Sequence, residues 1–141
     1  MGKATDFNDL AKLAGPAAVK ATVDKVLAAA MELADRDGIE ALSMRRLAQS
    51  VGVQVMSLYN HVRNKDAILD GMVDLVVEEI DLPTDIDVDD WREAMRRRAV
   101  LAHRAFERHP WAPALIDSRT TSGPARLRYL DWVLGALVDA G

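Results

Sequence analysis

Residues Leu42–Asp70 read LSMRRLAQSVGVQVMSLYNHVRNKDAILD, and as far as Lys65 the stretch carries Arg45, Arg46, Arg63 and Lys65 without one acid. The whole chain is acidic, with 18 Lys and Arg against 22 Asp and Glu and a formal net charge of −4. The pattern inside the stretch is two very short helices around a glycine. Ser43 is a good N-cap, and Leu42 and Leu47 occupy the staple positions on either side of it. Gly52 ends that helix after two turns, and a third helix is expected over Val55–His61. Asn64 then caps a long fourth helix, Lys65–Ile80, with Ile68, Leu69, Met72, Leu75, Val76 and Ile80 on one stripe.

Helices this short are marginal alone. They need a brace, and the sequence before them supplies it. Val19, Val23, Val26, Leu27, Ala30, Met31 and Ala34 recur at helical spacing from about Ala18 to Asp37, and Gly38 stops the run. The three helices can share a core of Val26, Ala30, Leu47, Val51, Val53, Leu58 and Val62. This is the pattern of a helix-turn-helix.

Outward from that core, helical spacing continues and no segment alternates with the period of a strand. Residues 1–18 read as an N-terminal arm, with a short amphipathic piece (Phe7, Leu10, Leu13) ended by Gly15-Pro16. LPTDIDVDD, residues 82–90, reads as an exposed linker, and Asp90 with Glu93 as the capping box of a fifth helix reaching Arg108. His109-Pro110 breaks it. A short helix over Ala112–Asp117 and a last one over Pro124–Ala140 follow. The last helix is apolar on several faces and wants partners on more than one side. The expected fold is therefore all-α: an arm (1–18), a helix-turn-helix domain (19–65), and a partial helical ligand-binding and dimerisation domain (66–141).

With 141 residues, half of them apolar, the chain can bury a sizeable core, and without cysteine it can hold neither disulfides nor thiolate metal sites. No apolar run approaches a membrane span, and MGKATDFNDL lacks the order of a signal peptide, so a soluble cytoplasmic protein is expected. Charge is uneven: residues 1–65 hold nine Lys/Arg against seven Asp/Glu, and residues 66–141 hold nine against fifteen. That division suits a module facing a polyanion joined to one that does not. No Ser/His/Asp set, phosphate loop or paired-carboxylate cleft stands out, so neither an enzyme nor a cofactor is expected.

The major groove of B-form DNA admits an α-helix between two rows of phosphates. The third helix exposes Gln54, Val55, Met56, Ser57, Asn60 and His61 around an inward Leu58, with Tyr59 placed for a phosphate or base edge. Lys65 and the free amides at the start of the fourth helix form a phosphate seat through charge and macrodipole, and Arg45 can reach phosphate or a guanine edge. A helical module that binds a protein partner is the alternative reading.

GIEALSMRRLAQSVGVQVMSLYNHVRNKDAILD, Gly38–Asp70, closely resembles the DNA-binding domain of the tetracycline-repressor (TetR) family, in the GIEALSMRRLA approach, the Gly52-Val53 turn, LYNHV at Leu58–Val62 and NKDAILD at Asn64–Asp70. With the first helix the resemblance covers about Val19–Ile80. HPWAPALIDSR and the Gly123-Pro124 helix start are similar to one subgroup of the family's regulatory domain. The resemblance implies a ligand-controlled repressor that binds a two-fold symmetric DNA operator as a homodimer, paired through helices beyond Gly141, and that an unidentified small-molecule inducer releases. It implies Arg45, Gln54, Val55, Met56, Ser57, Tyr59 and Asn60 at base edges or nearby phosphates, with His61 and Lys65 as phosphate anchors. Val55 and Met56 differ from the small or proline residues of many members, so base preference does not transfer.

For the inducer, the pocket candidates are Met95, Ala99, His103, Phe106, Trp111, Leu115, Tyr129 and Trp132, each equally suited to plain packing. His103 and Glu107 stand four apart on one helical face, but two ligands without a third do not make a metal site. The family's namesake binds a drug–magnesium complex through a histidine at the end of the fourth helix. Here that end reads EEIDLP, so tetracycline is not the expected ligand. The run REAMRRR (Arg92, Arg96, Arg97, Arg98) fans over more than one face and reads as solvated and salt-linked, with the preceding DIDVDD able to neutralise it.

Overall fold

The computed structural model describes residues 7–82, 90–120, 123–139 and 141, with side chains from residue 19 onward. The expected N-terminal arm therefore lies outside the described residues over 1–6, as does most of the linker, 83–89. Among the described residues there are seven α-helices and no strand: α1 (Phe7–Asp37), α2 (Met44–Val51), α3 (Val55–Tyr59), α4 (Lys65–Glu78), α5 (Trp91–Arg108), α6 (Ala112–Ser118) and α7 (Pro124–Asp139). They form two compact units, Met1–Met72 and Val73–Gly141, and the division falls inside α4.

In the first unit α1 packs against α2 and α3. Val26, Ala30, Leu33 and Ala34 of α1 are buried, with Leu47 and Ala48 of α2, Leu58 of α3 and Val62 beyond it. The start of α2 is as its residues dictate: Ser43 Oγ accepts from the Arg46 amide at 3.1 Å, and Leu42 and Leu47 are both buried. Its end needs glycine. Gly52 sits at φ 76°, in the left-handed region that costs an L side chain about 1–2 kcal/mol, and the chain turns there toward α3. Arg46 closes the other side of the unit. Its Nη2 meets Asp37 Oδ2 at 2.6 Å and its Nη1 donates to the Ala41 carbonyl at 3.2 Å, tying the end of α1 to α2.

Three expectations change here. Gly15-Pro16 does not end a separate piece, because α1 runs through it. Proline removes one ladder bond there, and the helix continues on the bonds either side. The third helix is shorter than expected, five residues instead of seven: the Asn60 and His61 amides bond to Ser57 and Leu58, three residues back, which tightens the last turn. Val51 and Val53 are only half-buried, because they flank the exposed turn at Gly52.

In the second unit α5 packs against α7. Val73 and Val77 of α4 are buried with Ala125 of α7, and Leu115, Ile116 and Tyr129 pack against them. Val73 and Val77 lie off the expected stripe of α4. The buried face of that helix is wider than one stripe because it also holds Ile68, Met72 and Val76, with Ile80 buried just past its end. Asp90 accepts from the Glu93 amide at 3.3 Å and so caps α5 as expected. Glu79 holds the corner after α5, with Arg108 Nη2 at 2.9 Å and Nε2 of the buried His109 ring at 3.1 Å. Along its length α7 exposes apolar side chains at Leu127, Leu130, Leu134, Leu137 and Val138.

Candidate nucleic-acid interface

The element that would read DNA is α3. Its register is fixed by Leu58, fully buried, and by Val62, one turn on, so the residues about half a turn from them must face out. Met56 is 74% exposed and Tyr59 43% exposed, with Gln54 and Asn60 exposed beside them. Arg45 on α2 and Lys65 at the start of α4 are exposed as well. Val55, Ser57 and His61 are half-buried, so these three present only part of their surface, against the expectation of full exposure. All nine expected DNA-contacting residues belong to one unit and to consecutive elements.

Electrostatics sorts the basic residues. Arg46 is spent on Asp37, whose carboxyl is held below the usual carboxylate range by hydrogen bonds from Arg36 first and Arg46 second. Arg45, Arg63 and Lys65 have no carboxylate partner among the described residues and point their charge at solvent. Three uncompensated cations around a short outward helix are what a polyanion requires. The phosphate seat at α4 is altered in one respect. Asn64 Oδ1 accepts from the Ala67 amide at 2.9 Å, so that amide is already satisfied.

The eight inducer candidates divide. Met95, Phe106, Leu115, Tyr129 and Trp132 are half-buried and Trp111 is buried, its ring 5.6 Å from that of His109. Ala99 and His103 lie on the exposed face of α5. His103 Nε2 is 3.5 Å from Glu107 Oε1, both well exposed, and no cluster of three metal-ligating side chains exists among the described residues.

The arginine run is fanned and partly salt-linked as expected, but it is not solvated throughout. Arg96 pairs with Glu93 at 2.7 Å, and Arg92 lies 4.7 Å over the Trp91 ring. Arg98 turns inward. Its Nη1 donates to the Tyr129 hydroxyl, its guanidinium sits 5.5 Å over that ring, and its Nε is sealed from solvent with no acceptor. The expected neutralisation by DIDVDD falls mostly outside the described residues. The i, i+4 relation of Arg98 to Ala94 and Ala102 was the available signal that it faces inward, and the density of charge around it obscured that.

Residues 26–72 match the family model described as bacterial regulatory proteins, tetR family. An HTH-type transcriptional regulator of Saccharopolyspora erythraea is 41% identical over 120 residues, which cover 85% of this chain and 50% of that protein. The structure of Streptomyces coelicolor ActR in complex with actinorhodin is similar with a TM-score of 0.77 and 30% identity, over 84% of this chain and 56% of that one. BioQ with its double-stranded DNA operator is similar with a TM-score of 0.72 and 28% identity, over 84% and 72%. The chain thus spans about half the length of the curated relative it matches.

Proposed function

Because the chain belongs to the TetR family of bacterial regulators, we propose that it is a sequence-specific DNA-binding transcriptional regulator, a repressor that leaves a two-fold operator when a small molecule binds. The observation that carries this reading is the outward face of α3, where Met56, Tyr59 and Asn60 stand exposed beside the unpaired Arg45, Arg63 and Lys65. The DNA-reading part is residues 19–65, and two copies form the reading unit, since half-sites on one face of DNA lie about 34–36 Å apart. BioQ is similar in complex with a DNA operator and ActR in complex with actinorhodin, which supports the same pair of partners here. Among the described residues no helix is long and apolar enough to cross a membrane.

Release by a ligand requires that the ligand prefer the DNA-incompetent state, and a coupling of about 1–3 kcal/mol is ordinary for such proteins. The test is selection of binding sites from random duplex DNA by the full protein. Recovery of a palindrome with half-sites one turn apart supports the reading. Recovery of no consensus favours a helical module that binds protein instead.

A further inference from the structure

Among the described residues Arg98 has no carboxylate partner of the kind that would make it merely structural. It stands on the α5 stripe that carries the buried Ala94, Ala102 and Ala105. Among the described residues the Tyr129 hydroxyl is its one hydrogen-bond acceptor, its Nε–H meets none, and no carboxylate pairs with it. Tyr129 in turn packs on the apolar cluster Val73, Val77 and Ala125.

The Arg98 side chain is half-buried and its Nε–H is sealed without an acceptor, a cost that an acceptor reaching it removes, an anion more strongly than a neutral oxygen. Its planar fork matches the two oxygens of a carboxylate. The Tyr129 oxygen that accepts from Arg98 keeps its own proton to donate to the same anion.

We propose that Arg98, with Tyr129, is the anchor for an organic acid, a carboxylate on an apolar or aromatic body, and that the small molecule sensed by the second unit belongs to this class. The second clause rests on the ligand-released reading above. The first does not, because binding is measurable without DNA. Arg98 recognises the carboxylate, Tyr129 adds a second donor, and the apolar side chains beneath it exclude water.

The test is calorimetric titration of the full protein with 1-naphthoate and with its methyl ester, repeated on Arg98→Met and Tyr129→Phe. The acid is expected to bind at least tenfold more tightly than the ester. Arg98→Met should abolish that preference and leave the ester's affinity unchanged, while Tyr129→Phe should weaken the acid severalfold. If Arg98→Met fails to fold, the Tyr129→Phe comparison decides. Equal affinity for acid and ester, no binding of the acid, or no effect of either substitution overturns the anchor. An acid that binds through Arg98 yet leaves operator affinity unchanged upholds the anchor and removes only its role as inducer site.

Discussion

Asp74 of α4 accepts a hydrogen bond from the backbone amide of Arg126 at 3.0 Å through Oδ1, and from that of Ala125 at 3.3 Å through Oδ2. This carboxylate completes the start of α7. Pro124, the first helical residue, has no amide proton to satisfy, Asp74 takes the next two, and Leu127 begins the ladder by bonding to Gly123 at 3.0 Å. The negative charge also lies at the positive end of the helix macrodipole. A Cβ on Gly123 would collide with the Asp74 carboxylate, so the residue before the helix has to be glycine for the cap to close.

Asp74→Ala is therefore expected to destabilise the protein by about 1–2 kcal/mol, the usual worth of a cap with favourable charge. Asp74→Asn should lose less, since the amide oxygen still accepts. Gly123→Ala should destabilise in the same range by expelling the carboxylate. Urea unfolding of the three variants measures this. An unchanged midpoint for Asp74→Ala would mean that water caps α7 equally well.

Acid should loosen the junction between α1 and α2. The Asp37 carboxyl is depressed in the folded state by Arg36 and Arg46, so its contribution is complete above the ordinary carboxylate range and is lost as pH falls through its lower folded value. A carbon-13 titration of Asp37 is expected to show a midpoint below about 3.9, the ordinary aspartate value, moving partway up in Arg46→Met. A midpoint at the ordinary value in the parent protein would show that these contacts do not persist in solution.

Leu58 and Met56 lie two residues apart on α3 and should behave oppositely. Leu58 is fully buried, so Leu58→Ala leaves a cavity and is expected to cost about 2–5 kcal/mol. Met56 is 74% exposed, so Met56→Ala should change stability by less than about 0.5 kcal/mol while altering affinity for the selected operator. Thermal unfolding and fluorescence anisotropy with operator duplex separate the two effects.

Asn60→Ala should relax preference at one base position, at a cost of about 1–3 kcal/mol for the cognate base and little for other sequences. Lys65→Ala should weaken all duplexes alike. Equal losses on cognate and random DNA for both variants would move Asn60 from base reading to backbone contact.

The helix-turn-helix was legible because its signals are local. Ser43, Gly52 and Asn64 each act within one turn of chain, and the stripe of α1 repeats often enough to fix its inward face. The second unit was legible in its elements but not in its contacts. Asp74 and Arg126 are 52 residues apart, Glu79 and His109 30 apart, and Arg98 and Tyr129 31 apart, and no spacing rule connects such pairs. The shortened α3 follows from tightening of its final turn, and the half-buried Val55, Ser57 and His61 belong to a short helix packed against α1 and α2, neither of which propensity foretells. Arg98 was hidden among three other arginines of the same run, where composition suggests solvent and only the helical register points inward.

The most direct measurement is the salt dependence of binding to the selected duplex, for the parent protein and for Arg63→Ala and Lys65→Ala. If the exposed cations around α3 neutralise phosphates, log K should fall linearly with log[salt] by about 0.9 per phosphate contacted, and each substitution should reduce that slope by about 0.9. An affinity that barely responds to salt, or slopes unmoved by both substitutions, would contradict DNA reading by this face.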